Sequence, residues 1–141
     1  MGSRKRITVA LISLVALVVV GWLVGDLGTS SEPTPPPGQS TYAPRSDLPV
    51  EALSGLPAEA ADTWELVKAG GPFPHPDRDG TTFQNREGLL PDEERGYYKE
   101  YTVPTPGSRD RGARRLVTGA ESEVYYTADH YETFVEVDTS R

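Results

Sequence analysis

Hydrophobic and polar positions fall into three regimes along the chain. Residues 7–24, ITVALISLVALVVVGWLV, are apolar on every side, with Thr8 and Ser13 the only clearly polar side chains. Eighteen residues of helix rise about 27 Å, close to the hydrocarbon thickness of a bilayer. Residues 26–46 have almost nothing that could build a core, and five prolines fall between 26 and 45. From 47 onward the periods are those of a folded domain. Over 56–71, LPAEAADTWELVKAGG, Ala60, Trp64 and Val67 share one helical face, Pro57 suits the first turn, and Lys68 with Gly70 marks the exit. Beyond the punctuated stretch GGPFPHPDRDG the period becomes two. GYYKEYTV (96–103) sets Tyr98, Glu100 and Thr102 against Tyr97, Lys99, Tyr101 and Val103. ARRLVTG (113–119) reads as a strand closed by glycine, and 123–137 as two short strands around a bend at Ala128–His130. A helix followed by antiparallel strands predicts an α+β fold, one helix packed on a small antiparallel sheet.

This divides the chain into 1–25, a signal peptide or a signal-anchor helix; 26–46, a disordered proline-rich linker; and 47–141, one compact domain. Arg4, Lys5 and Arg6 precede the apolar run, as on the cytoplasmic flank of a membrane segment. A buried core helix would show an amphipathic stripe, which this run lacks. Its length exceeds the usual signal-peptide core and no good A-x-A site follows, which leans toward an anchor. Either form predicts that the domain is exported, secreted or held at the outer face of the membrane by 7–24. As polyproline, the linker would reach up to roughly 60 Å.

Charge and composition narrow the chemistry. The chain has 141 residues, a formal net charge of -7, no cysteine and two histidines. Thiolate zinc sites, Cys–His catalysis and His-rich metal sites are excluded, and no metal or cofactor is expected. The domain carries ten Lys/Arg against nineteen Asp/Glu, near -9, so a polyanion must be met locally. Positive charge is gathered in RDRGARR (109–115), four arginines in seven positions. These are either scattered surface arginines on a turn or a seat for one anion. Alternation separates Arg114 from Arg115, so at most one of the two faces Glu100, which Arg111 could approach from its loop. Glu100 itself, in an aromatic and β-branched strand, is either an edge glutamate facing water or a general base held by a rigid strand. FQNRE (83–87) offers a ring, two amides, an arginine and a carboxylate. That set ends a strand in a polar loop, or it reads a nucleobase. A carboxylate such as Glu87 accepts both N1–H and N2–H of guanine and repels adenine, while Phe83 supplies a stacking surface. His130 precedes Tyr131 at a strand bend; His75 lies in the proline-rich loop and is expected to be solvated.

Together LSGLPAEAADT, GPFP, DGTTFQNRE, GYYKEYTVPTPGSRDRGARRLVTG and YYTADHYETF resemble the guanyl-specific microbial ribonucleases, the barnase-like group, most closely its small secreted actinobacterial branch. The likeness runs in family order over about 50–138. It implies RNA cleavage 3′ to guanosine by metal-free transesterification through a 2′,3′-cyclic phosphate. By that resemblance Glu100 matches the base, His130 the acid, Arg111 and Arg115 the arginines that grip phosphate, and Tyr131 their neighbour. Glu87 matches the guanine-reading carboxylate and Phe83 the stacking ring. Gln84, Asn85 and Arg86 match the loop whose backbone contacts the base. The expected partner is single-stranded RNA met by a monomer, and the family adds a barstar-like inhibitor as a second one. The competing expectation from another class is a catalytically silent RNA- or guanine-nucleotide-binding module on a membrane tether.

Overall fold

The structure is a computed structural model and describes residues 42–141. The expected apolar helix over 7–24 and the linker as far as 41 lie outside the described residues. Among the described ones no helix is long and apolar enough to cross a membrane.

The domain contains β1 (Val50–Ala52), α1 (Ala58–Ala69), β2 (Thr81–Phe83), β3 (Tyr98–Thr102), β4 (Arg115–Thr118), β5 (Val124–Thr127) and β6 (Val135–Asp138), with a 3-10 turn at Leu53–Gly55. The strands form one sheet in the order β1-β6-β5-β4-β3-β2. This is the α+β arrangement that the periodicity predicts. One edge departs from a purely antiparallel sheet: β1 runs parallel to β6, with Val50 opposite Glu136. No hairpin joins these two strands, and the whole domain lies between them as a crossover, so parallel pairing is open to them. α1 begins after Pro57 and ends at Gly70, which takes φ 76°. The Gly70 N–H reaches Val67 O (3.2 Å) and the Gly71 N–H reaches Leu66 O (3.0 Å), the two bonds of a Schellman cap.

Alternation gives the sheet two faces. Toward the helix point Leu116, Val124, Tyr126 and Val137, which with Val103 and Ala60 form one buried cluster, covered by Leu56 and Trp64. The other face starts from Tyr98, Val117 and Tyr125, joined by Leu90 and Phe134. Glu100 lies opposite Val117 and Thr102 opposite Arg115, so both belong to this second face.

Residues 42–46, which composition assigns to the linker, are tied to the sheet. Tyr42 Oη (2.6 Å), the Arg45 N–H (2.7 Å) and Ser46 Oγ all donate to Glu136. Proline and small polar residues do not pack by themselves, but a buried carboxylate on β6 captures their hydroxyls and amides.

Candidate active site

Glu100 occupies the middle of β3, half-buried, on the face away from the helix. Tyr131 Oη donates to its Oε2 at 2.5 Å, and Thr81 Oγ1, from the paired position on β2, lies 3.5 Å from Oε1. Burial first, then the Glu100 carboxylate, push the Tyr131 phenol above its ordinary pKa against an opposing pull from Arg115. The tyrosine therefore stays a neutral donor to Oε2, on the side of the carboxylate away from Thr81.

Two guanidinium groups stand at the end of the same face. Arg115 is 2% exposed. Its Nη1 donates to the carbonyls of Gly112 (2.9 Å) and Arg114 (2.7 Å). Its Cζ lies 5.9 Å from the centre of the Tyr131 ring. Arg111 Nε donates to Thr102 Oγ1 at 3.0 Å. Arg111 Nη2 and Arg115 Nε are both buried with no hydrogen-bond partner among the described residues. A buried unmet donor is destabilising, and two charged ones on neighbouring side chains fit an oxyanion. The remaining arginines diverge. Arg114 turns to the helix side, 3.9 Å from Glu59, and Arg109 is exposed on the loop. Gly112 lets the loop fold this tightly: a Cβ there would sit 2.3 Å from Thr105 Oγ1.

His130 and Tyr131 are presented by a strained turn. Both take left-handed backbone, φ 58° and 73°, which costs a non-glycine residue energy that its surroundings must offset. Asp129 supplies the restraint. Its Oδ1 accepts from Thr127 Oγ1 (2.8 Å) and from the Thr133 N–H (2.9 Å), and its Oδ2 from Thr133 Oγ1 (2.5 Å). Thr127 Oγ1 accepts the Tyr131 N–H (3.1 Å), and the His130 N–H reaches Ala113 O (3.0 Å). The Thr133 bonds, hydroxyl first, lower the Asp129 carboxyl to about 2. His130 is exposed, its ring 4.9 Å from that of Tyr131.

Beside this group lies the 83–91 loop. Phe83 stacks on Tyr131 with ring centres 5.2 Å apart and planes 24° apart. Asn85, at φ 46°, turns its amide inward as a staple. Nδ2 donates to Leu90 O (2.8 Å) and Pro91 O (3.2 Å), and Oδ1 accepts the Leu90 N–H (3.0 Å). Gln84 Oε1 accepts from Arg86 Nε at 3.0 Å. Phe83 to Arg86, with Tyr98 and the 92–95 segment, line a cleft of about 470 Å³. Glu87 is exposed on the same loop, outside that lining.

The structure thus gathers Glu100, Arg111, Arg115, His130 and Tyr131 in one place, with Phe83 joined through the Tyr131 ring. Gln84, Asn85 and Arg86 form the neighbouring cleft, and Glu87 stands apart. Sequence reasoning missed Thr81, Thr102, Thr127 and Asp129, which hold these side chains. Only the last two left a signal: Thr127, Asp129 and Thr133 have the spacing of a side-chain-capped turn.

A ribonuclease family model matches residues 40–138. Guanyl-specific ribonuclease St of Saccharopolyspora erythraea is 61% identical over 82 residues, 58% of this chain and 80% of that protein. Guanyl-specific ribonuclease Sa of Kitasatospora aureofaciens is 58% identical over 87 residues, 61% of this chain and 90% of that protein. A solved structure of ribonuclease Sa2 in complex with mononucleotides aligns with a TM-score of 0.66 at 48% identity, over 68% of this chain and 99% of that one. The chain belongs to the ribonuclease family, in its guanyl-specific microbial branch.

Proposed function

We propose that this chain cleaves single-stranded RNA on the 3′ side of guanosine, with Glu100 as base and His130 as acid. The observation that carries this is the pairing of an accessible strand carboxylate with two buried, unmet guanidinium nitrogens on the same sheet face. In the first step Glu100 takes the proton of the ribose 2′-OH. The 2′-oxygen attacks phosphorus, the bond to the 5′-oxygen breaks, and His130 protonates that departing oxygen. The product is a 2′,3′-cyclic phosphate. Arg111 and Arg115 stabilise the charge that grows on the nonbridging oxygens. In the second step water opens the ring, with His130 now taking the proton and Glu100 returning one. Since Glu100 must begin ionised and His130 protonated, the rate should be bell-shaped in pH.

Base choice is assigned to the 83–87 loop. Phe83, already against Tyr131, offers the stacking surface, and Gln84–Arg86, shaped by the Asn85 staple, line the cleft. Glu87 is the carboxylate for the two guanine donors, and the loop must bring it to the base on binding. The relatives' guanyl-specific names support this choice of base.

The dinucleotides GpC and ApC test the proposal. Guanosine 2′,3′-cyclic phosphate should form from GpC, far faster than the adenosine product from ApC, and should be lost in Glu100→Ala. Tight binding of GpC without turnover would overturn the catalytic assignment and leave the silent binding module.

A further inference from the structure

Glu136 stands on β6 with its side chain fully buried, opposite Tyr125 on the site-bearing face. A buried carboxylate is costly without donors. Three of its donors come from the segment that leads into β1: Tyr42 Oη, the Arg45 N–H and Ser46 Oγ. Burial alone would raise this carboxyl's pKa, yet the Ser46, Tyr42 and Arg45 bonds outweigh it and hold the group below its usual value. The chain therefore invests a buried charge in holding down a stretch that takes no part in the sheet.

What that stretch does is visible in its neighbours. Residues 44–48 form one wall of a groove of about 580 Å³, and 88–91 form the other. Leu48 packs against the cluster that contains Leu90, Tyr98 and Phe134. Leu90 is the residue that Asn85 grips through both N–H and carbonyl. The next carbonyl, Pro91 O, accepts from Asn85 and from Tyr98 Oη (2.8 Å). The far end of the base loop thus faces the segment that Glu136 fastens across this groove, and the two meet in the cluster shared by Leu48 and Leu90.

We infer that residues 42–48 are a positioning strap for guanine recognition. Glu136 holds the strap, the strap backs Leu90, and Leu90 through Asn85 sets the backbone of Gln84–Glu87. Glu136, Ser46 and Leu48 touch no substrate; they act through the loop. The inference deepens the proposed function and rests on it.

The test uses the full chain and two variants, Glu136→Leu and the double variant Tyr42→Phe/Ser46→Ala. The measured quantities are the Kd for guanosine 3′-monophosphate, GpC kinetics and Tm. Glu136→Leu should lower Tm, because the Tyr42, Arg45 and Ser46 donors lose their shared acceptor, so binding and kinetics are measured well below that Tm. In both variants Kd and KM should rise about 2- to 30-fold, the range of coupling between sites that share a packed network, with kcat little changed. Unchanged Kd and KM in either folded variant would overturn the inference and leave the strap as a closure of the fold. A loss confined to kcat would overturn it too, because it would move the effect from base to phosphate. A wild type that binds the nucleotide but does not cleave GpC would remove the catalytic assignment and leave the strap standing. Neither binding nor cleavage would remove both.

Discussion

Arg115 and Leu116 are adjacent in β4 and both are buried, 2% and 0% exposed, yet they do opposite work. Leu116 packs with Ala60, Val124 and Val137 under the helix. Arg115 is held by backbone carbonyls beneath Tyr131. The same contrast separates Tyr101 from Glu100 and Val137 from Glu136. One face of the sheet is a core in the ordinary sense. The other is aromatic but threaded with polar groups: the half-buried Glu100 and the buried Thr102, Arg115, Thr127 and Glu136. What divides scaffold from site is one residue of strand register. The helix side supplies the rigidity that lets the second face keep charged groups at fixed positions.

If the two faces are separable in this way, damage to each should read out in a different measurement. Glu100→Gln keeps the shape of β3 and removes the base, so kcat/KM for GpC should fall about 10²–10⁴-fold while Tm stays near wild type. Leu116→Ala should do the reverse. It opens a cavity on the helix side and should cost about 2–5 kcal/mol of stability, with the folded fraction keeping its kcat. Thermal melts and GpC kinetics on the same two preparations check both. A Leu116→Ala protein that stays folded but loses turnover would show that the faces are not independent.

The scaffold face was far more legible in the sequence than the site face. Alternation over Tyr98–Thr102 placed Glu100 on the correct side and separated Arg114 from Arg115, because strand period needs only neighbours in the chain. Pro57 and Gly70 bounded the helix for the same local reason. β1 and β2, three residues each, are too short to show any period. The supports of the site are non-local: Thr102 meets Arg111 across a loop, and Glu136 meets Tyr42 and Ser46 from the opposite end of the domain. Nothing in the run Val135–Asp138 distinguishes a solvent-facing glutamate from a buried one. Residues 42–46 read as linker because their reason for being ordered lies about ninety positions away. The candidate site residues came from family resemblance, which carries identity but not the hydrogen bonds that hold those side chains.

A smaller effect sharpens the description of the site face by dividing base from phosphate. Glu87→Gln removes the acceptor pair for guanine and leaves Glu100, His130 and both arginines untouched. A hydrogen bond to a charged group is worth about 1.5–3 kcal/mol, so the preference for GpC over ApC should narrow by roughly 10- to 100-fold. The change should come from slower GpC cleavage rather than faster ApC cleavage. An unchanged ratio would assign base choice to the loop backbone alone, in keeping with the exposed position of Glu87 outside the cleft lining.

The smallest expected effect concerns the turn that presents His130. Asp129 titrates at about 2 in the folded protein against about 3.9 for an ordinary aspartate. A lowered folded-state value means that the unfolded chain takes up the proton first as pH falls. The contribution of the ionised carboxylate is therefore complete above the unfolded value and is lost as pH drops through the folded one. Asp129→Asn lacks that carboxylate at every pH. Its Tm should lie below wild type at pH 6, and the gap should close as both are taken from pH 4 toward pH 2. Because His130 and Tyr131 depend on this turn for their left-handed backbone, the variant should also lose kcat at pH 6. A gap in Tm that stays constant down to pH 2 would mean that Thr127 and Thr133 hold the turn whatever the charge on residue 129. The strain at His130 would then be offset by hydroxyl and backbone bonds alone.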